Sequence, residues 1–272
     1  MVSYRVNPKP LARIRDLHVP GVFGNFAESM DSSIQRFQDD SNPTAKERVK
    51  FFSYLKMLVD ADRFGAMQDH YLSDEMLVTG VNPVKYIDPI VWFVSKLSLA
   101  RAIGLDRSPP LSILDIGTGP AHFPVVATFY GHRVLGTDLP SRITNQLCKG
   151  HLYDVLADIY KVRRIPLAIS GFEHLPTLPE RYDLITAFLA AFNVDRVSKK
   201  PWDIARWNFF LADVRDHVLR PGGQLFMTLD DKKLTDDVWD YLKARAASSL
   251  DKMKRIHFID LSFAGSGGEQ RS

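Results

Sequence analysis

The stretch from Ser112 to Pro140, SILDIGTGPAHFPVVATFYGHRVLGTDLP, limits what this chain can fold into more than any other. Ile113–Ile116 is a short apolar run of strand length, and Gly117-Thr118-Gly119-Pro120 follows as a turn. Ala121–Tyr130 then reads as a helix, and Arg133–Thr137 as a second strand that ends on the acid Asp138. Strand, glycine turn, helix, strand and acid make half of a nucleotide-binding α/β unit.

The chain after it keeps the alternation. Ser141–Val162 carries a helical face of Leu152, Val155, Leu156 and Ile159, and Ile165–Ile169 reads as a third strand. Tyr182–Phe188 is nearly all apolar, as a central strand is. Pro201–Leu219 spaces Ile204, Trp207, Leu211, Val214 and Val218 by three and four, a helical stripe. Arg220-Pro221-Gly222-Gly223 turns it into a fifth strand, Gln224–Leu229; a helix over Thr235–Leu250 and a last strand, Arg255–Phe263, follow.

The chain before it is mainly helical. A short helix is expected over Phe26–Gln38. Asn42-Pro43 starts another, with Asn42 as N-cap and proline in the first turn, where no amide donor is missed. Val49, Phe52, Leu55 and Val59 follow at helical spacing, and Phe64, Met67 and Tyr71 extend the stripe past Gly65. A further helix begins at Asp88-Pro89, carries Ile90, Phe93, Leu97 and Ala100, and closes at Gly104. The expected organisation is a helical extension or cap over 1–105, an α/β domain over 106–263 and a flexible tail over 264–272. The fold class is α/β, with a doubly wound, mostly parallel sheet.

Bulk properties exclude more than they assign. With 272 residues, 45% apolar and 25% charged, the composition is that of a globular protein. A net charge of +3, with lysines and arginines scattered, is no nucleic-acid footprint. Cys148 stands alone, so neither an internal disulfide nor a thiolate cluster can form. The start, MVSYRVNPKP, lacks the apolar core of a secretion signal, and no run of apolar residues has membrane-spanning length. Cytoplasmic location without a membrane or nucleic-acid partner is the expectation.

Ligands of doubly wound sheets sit beyond the carboxyl ends of the strands, so the residues after Ile116, Thr137, Ile169 and Phe188 matter most. A dinucleotide fingerprint starting at Gly117 wants a small third residue at position 122, which is His122; the small residue is Ala121. A phosphate loop ending Gly-Lys-Ser/Thr is absent from the sequence. Asp138 stands at strand spacing from the glycines and can accept hydrogen bonds from both hydroxyls of a ribose, while repelling a 2′-phosphate. Taken together these features indicate a nucleoside site.

Asp115-Ile116-Gly117-Thr118-Gly119-Pro120-Ala121, Asp138-Leu139, Arg181-Tyr182-Asp183-Leu184-Ile185 and Leu219-Arg220-Pro221-Gly222-Gly223-Gln224-Leu225 stand in the order and at the spacing of one family. Over residues 111–230 the chain resembles the class I, Rossmann-like S-adenosylmethionine-dependent methyltransferases. The resemblance implies S-adenosylmethionine as cofactor and S-adenosylhomocysteine as product. It implies that Gly117, Thr118 and Gly119 give backbone room for the methionine part, with Asp115 holding the turn and the amino group. Asp138 would bind the ribose and Leu139 the adenine; Phe172 and Glu173 stand where the family often has an acid and a small residue at the adenine edge. Ala187 and Phe188 would lie near the sulfonium. The family's sheet closes with a helix, a strand and an antiparallel hairpin partner; so few residues follow Phe263 that the seventh strand is expected to be missing or displaced, with the sheet reduced at this edge.

The implied activity is methyl transfer to a small-molecule or saccharide acceptor, with a hydroxyl favoured. The competing readings are a non-catalytic S-adenosylmethionine-binding protein and an NAD-dependent oxidoreductase or epimerase. Direct displacement needs alignment and exclusion of water more than catalysis by side chains, and a base only where the acceptor loses a proton. His70, His122, His151, His174, Glu173 and Asp195 are the candidate bases, with no catalytic residue singled out. An Asn-Pro-Pro-aromatic tetrad is absent, Phe192-Asn193 standing without prolines, and no histidine or carboxylate group has metal-ligand spacing along the sequence.

Overall fold

The computed structural model describes residues 26–71, 89–139, 147–190, 192–195, 197–251 and 254–261. The expected tail over 264–272, the first 25 residues, and the start of the helix expected at Ser141 lie outside them. The described residues within 1–106, 120–129 and 144–162 form one compact unit, and those within 107–119, 130–143 and 163–272 form another.

The first unit is helical: α1 (Phe26–Gln38), α2 (Pro43–Leu58), α3 (Ala61–Tyr71), α4 (Pro89–Ala102), α5 (His122–Phe129) and α6 (Leu147–Ile159). Asn42 caps α2 as its sequence indicates, its side chain accepting from the Thr44 amide at 2.9 Å, with Pro43 in the first turn. The aromatic stripe is spent on packing. Phe51 meets Phe93 at 5.2 Å and Phe129 edge-on at 5.1 Å between ring centroids, and Phe26 meets Phe64 at 4.7 Å. Arg101 ties α4 to α2 by donating to Thr44 Oγ1 at 2.6 Å, and Arg63 pairs with Asp158.

The second unit is built on a seven-stranded sheet. Its strands are β1 (Ser112–Ile116), β2 (Arg133–Asp138), β3 (Arg164–Pro166), β4 (Tyr182–Phe188), β5 (Leu219–Thr228), β6 (Ser248–Leu250) and β7 (Arg255–Ile259), in the order β3-β2-β1-β4-β5-β7-β6. β1 to β5 run parallel, and β7 returns antiparallel between β5 and β6. The helices of this unit are α7 (Ile204–Asp213), which runs into a π-helical turn at Val214–Val218, and α8 (Asp236–Lys243). Trp207, Phe210, Leu211 and Val214 share one core with Ile185, Leu225, Trp202, Trp239 and Phe258. No helix among the described residues is long and apolar enough to cross a membrane.

The α/β class and the mostly parallel sheet agree with the sequence reading, and several local expectations are corrected, among them the turn expected at Arg220-Pro221-Gly222-Gly223, which lies within β5, and the third strand, which is Arg164–Pro166 and not Ile165–Ile169. The sheet is not reduced in strand number: Arg255–Ile259 is the antiparallel strand, and the missing partner is β6. β6 comes out of the helix expected over Thr235–Leu250, which stops at Lys243 because its buried side, Val238, Trp239 and Leu242, ends there. The helix expected over Pro201–Leu219 starts at Ile204, capped by Asp203, and its last turn is π-helical.

One acid ties β4 to both its neighbours. The Asp183 carboxylate accepts from the Ser112 amide at 2.7 Å, where β1 begins, and from Arg220 at 2.9 Å on both oxygens, where β5 begins. Hydrogen bonds to charged groups stabilise by about 1.5–3 kcal/mol. Asp183→Ala should therefore lower the free energy of unfolding in urea by about 2 kcal/mol, with Asp183→Asn intermediate because it keeps an acceptor for Ser112. An unchanged midpoint in the alanine variant would contradict this.

Candidate functional site

The register of the sheet brings the sequence motifs to one edge. Ile116 stands beside Thr137 on one side and Ala187 on the other, and Asp138 beside Pro166, so β2, β1 and β4 end level. From β1 the chain runs to β2 and β3 on one side and then crosses to β4 and β5 on the other, which makes β1/β4 the switch point where such sheets open a crevice.

The turn after β1 needs its glycines. Gly117 has φ +69° and Gly119 φ +55°, in the left-handed region. A Cβ on Gly117 would stand 2.4 Å from that of Ala190, just beyond β4, so the two exits approach as closely as backbone allows. Thr118 holds the turn from inside: its amide donates to Thr137 O at 2.8 Å, and its hydroxyl donates to Asp115 O at 2.9 Å while accepting from the Thr137 amide at 3.1 Å. That hydroxyl is committed to the fold. Asp115 is buried as well, its Oδ1 accepting from Thr186 Oγ1 at 2.7 Å.

Asp138 faces this turn. Its Oδ2 accepts from the Gly119 amide at 2.9 Å and lies 3.5 Å from Arg164, whose guanidinium also donates to Gly119 O at 3.3 Å. Its Oδ1 accepts from the Leu139 amide at 2.8 Å. The acid is thus both a brace for the glycine turn and, with 23% of its side chain exposed, a carboxylate open to solvent. Arg164 is a member of this site that the sequence reading passed over; nothing in a strand-starting arginine signals a partner 26 residues earlier.

Apolar side chains lie bare along the same edge. Leu139 is 41% exposed after β2, Phe172 is 54% exposed on the segment after β3, and Leu189 is 65% exposed after β4. Leu189 is the second residue missed, and it sits at φ +56°, a conformation costly for a branched side chain. Arg206 lies over the Phe172 ring at 5.0 Å, and a Cβ on Gly171 would collide with the Arg206 stem. Ala187 is buried and Phe188 half-buried, 6.0 Å from Phe226. Asp115, Gly117, Thr118, Gly119, Asp138, Leu139, Ala187 and Phe188 therefore gather on three adjacent strands, while Phe172 and exposed Glu173 follow the outer strand β3.

The candidate bases fare differently. His122, in the first unit, is buried with its ring parallel to Trp92 at 6.2 Å and against Phe93 and Tyr160. Burial, helped by the charge of Lys96, pushes it down to about 3, and its Nε2 has no hydrogen-bond partner among the described residues. So weak a base cannot hold a proton taken from an acceptor near neutrality. Asp195 caps its own loop, accepting from the Val197 and Ser198 amides and the Ser198 hydroxyl, and the Ser198 bonds hold its carboxyl below the usual range. His70 packs on Tyr71 in α3, the side chain of His151 lies outside the described residues, and His174 bonds to Asp213.

No family model matches the chain, and no curated protein does. Solved structures similar to it include methyltransferases. A glycopeptide N-methyltransferase is 15% identical over 52% of this chain and 55% of its own, with a TM-score of 0.35. An amino pentose methyltransferase from Micromonospora echinaspora is 21% identical over 53% of this chain and 54% of its own, at 0.37. A ribosomal protein L11 methylase from Lactobacillus delbrueckii subsp. bulgaricus is 18% identical over 62% and 75%, at 0.36. The chain spans little more than half the length of the first two. At these identities and scores the likeness assigns no activity.

The depressed His122 has a thermodynamic signature. Its folded pKa lies below the ordinary value near 6.5, so the unfolded chain takes up the proton first as pH falls. Stability is unaffected above about pH 6.5 and falls from there toward pH 3 by up to about 1.4 kcal/mol per pH unit. His122→Phe should flatten this slope in urea unfolding between pH 6.5 and 4; an identical slope in both proteins would refute the assignment.

Proposed function

We propose that the carboxyl edge of β2, β1 and β4 binds S-adenosylmethionine, and that the chain transfers its methyl group to a hydroxyl of a small-molecule or saccharide acceptor. The observation that carries this reading is the pairing of the Cβ-free Gly117–Gly119 turn with the Asp138 carboxylate, flanked by exposed Leu139. Gly117 and Gly119 leave backbone room for the amino-acid part of the cofactor, and buried Asp115 keeps that turn in place through Thr118 and Thr137. Asp138 keeps lone pairs for ribose hydroxyls, and Leu139 and Phe172 offer apolar faces to a base. An NAD-dependent reading is weaker, because the antiparallel β7 departs from a wholly parallel dinucleotide sheet and His122 occupies the fingerprint's third small position.

When bound, the cofactor supplies an electrophilic methyl group on a sulfonium. The protein's part would then be to align donor and acceptor at the edge held by Gly117, Gly119 and Asp138 and to exclude water. The acceptor's proton must leave to a base or to water. Of the groups weighed for that task, His122 and Asp195 are both held in weakly basic states.

Calorimetry with S-adenosylmethionine and with NAD is the direct test, and the former alone should bind. Asp138→Ala should weaken that binding by about 2–3 kcal/mol, roughly 30- to 150-fold, through loss of charge-assisted bonds. A melting curve of the ligand-free variant separates loss of the brace on Gly119 from loss of a ribose contact. Wild-type protein that fails to bind S-adenosylmethionine, or that never yields S-adenosylhomocysteine with a panel of saccharides and phenols, would overturn the reading in its first or second part.

A further inference from the structure

Outside the edge just described, the second unit brings together three residues far apart in sequence. His174 follows Phe172 and Glu173 after β3; Asp213 ends α7; His217 lies in the π-helical turn. Asp213 Oδ1 is 2.5 Å from His174 Nδ1 and 2.8 Å from His217 Nδ1, and Asp213 Oδ2 accepts from the Leu175 amide at 2.8 Å. The carboxylate is nearly sealed, its side chain 2% exposed, while the imidazoles are 69% and 58% exposed. One oxygen is thus consumed by the backbone and the other presented to two ring nitrogens.

We propose that His174, Asp213 and His217 form a binding site for a divalent transition ion of the zinc class. Two imidazole nitrogens and one carboxylate oxygen are a donor set that such ions favour over calcium or magnesium. The three donor atoms lie within 4.8 Å of one another. Bonds of about 2.0–2.2 Å in a tetrahedral site need donors about 3.3 Å apart, so the histidines must swing outward by less than 1 Å or so. Both can, because both are largely exposed.

The local fold explains the convergence. At the π-helical turn the Leu219 amide bonds to Val214 O, five residues back, and His217 stands four residues after Asp213 on the same side. Asp213 is also the anchor of the segment carrying Phe172, through the Leu175 amide. An ion here would pin that segment to the end of α7. The sequence does not announce the third ligand, because His174 lies 39 residues before Asp213.

The test uses tag-free protein dialysed against chelator and titrated with Zn²⁺, then with Co²⁺ as a spectroscopic probe. One Zn²⁺ per chain with a dissociation constant in the micromolar range or tighter is expected, with visible Co²⁺ bands of low-symmetry coordination. His217→Ala and His174→Ala should each weaken binding at least tenfold. Both positions are exposed, so the variants should fold; Asp213→Ala is avoided because it strips a buried anchor. No saturable Zn²⁺ binding by the wild type, or equal affinity in the double histidine variant, would overturn the proposal and leave the cluster as hydrogen bonds alone. Calorimetry with S-adenosylmethionine on the same samples keeps this outcome distinct from that of the cofactor site.

Discussion

Three adjacent strands of the sheet are locked to one another at Asp115. Its carbonyl oxygen accepts from the hydroxyls of Thr118 and Thr137, and its carboxylate from that of Thr186, so β1, β2 and β4 are cross-linked by side chains as well as by their ladders. All four residues are buried. A buried carboxylate without partners would be costly, and here the Thr186 hydroxyl of β4 donates to it. The glycine turn can be bare of side chains because this lock, reinforced by Asp138 and Arg164 from outside, fixes its path.

Much of this was legible in the sequence where local chemistry and burial agree. Tyr182–Phe188 is a strand end to end because it is nearly all apolar, and Phe26–Gln38 and the Asn42 cap were readable from spacing and cap chemistry. Ser248–Leu250 was not, since all three residues are exposed and nothing but pairing with β7 makes them a strand. The third strand was expected over Ile165–Ile169 and runs instead over Arg164–Pro166, its ladder ending where β2 ends.

At the site, the glycines and the acid of β2 announced themselves by residue type and spacing. Their partners did not. Arg164 reaches Asp138 through the pairing of β2 with β3, and Leu189 becomes notable only through its backbone conformation. Phe51, Phe52, Phe64 and Phe93 are fully buried against other rings of the helical unit, which accounts for them as core.

The two margins of the sheet share a design that bears on solubility. Both outermost strands, β3 and β6, are three residues long; one ends in Pro166 and the other is Ser-Ser-Leu. β5, with ten residues the longest strand, is shielded because β7 folds back between it and the margin. A long strand with unpaired amides and carbonyls is a template on which a second molecule can add itself. Here the unpaired rims are too short, and at Pro166 too poor in donors, to start such growth.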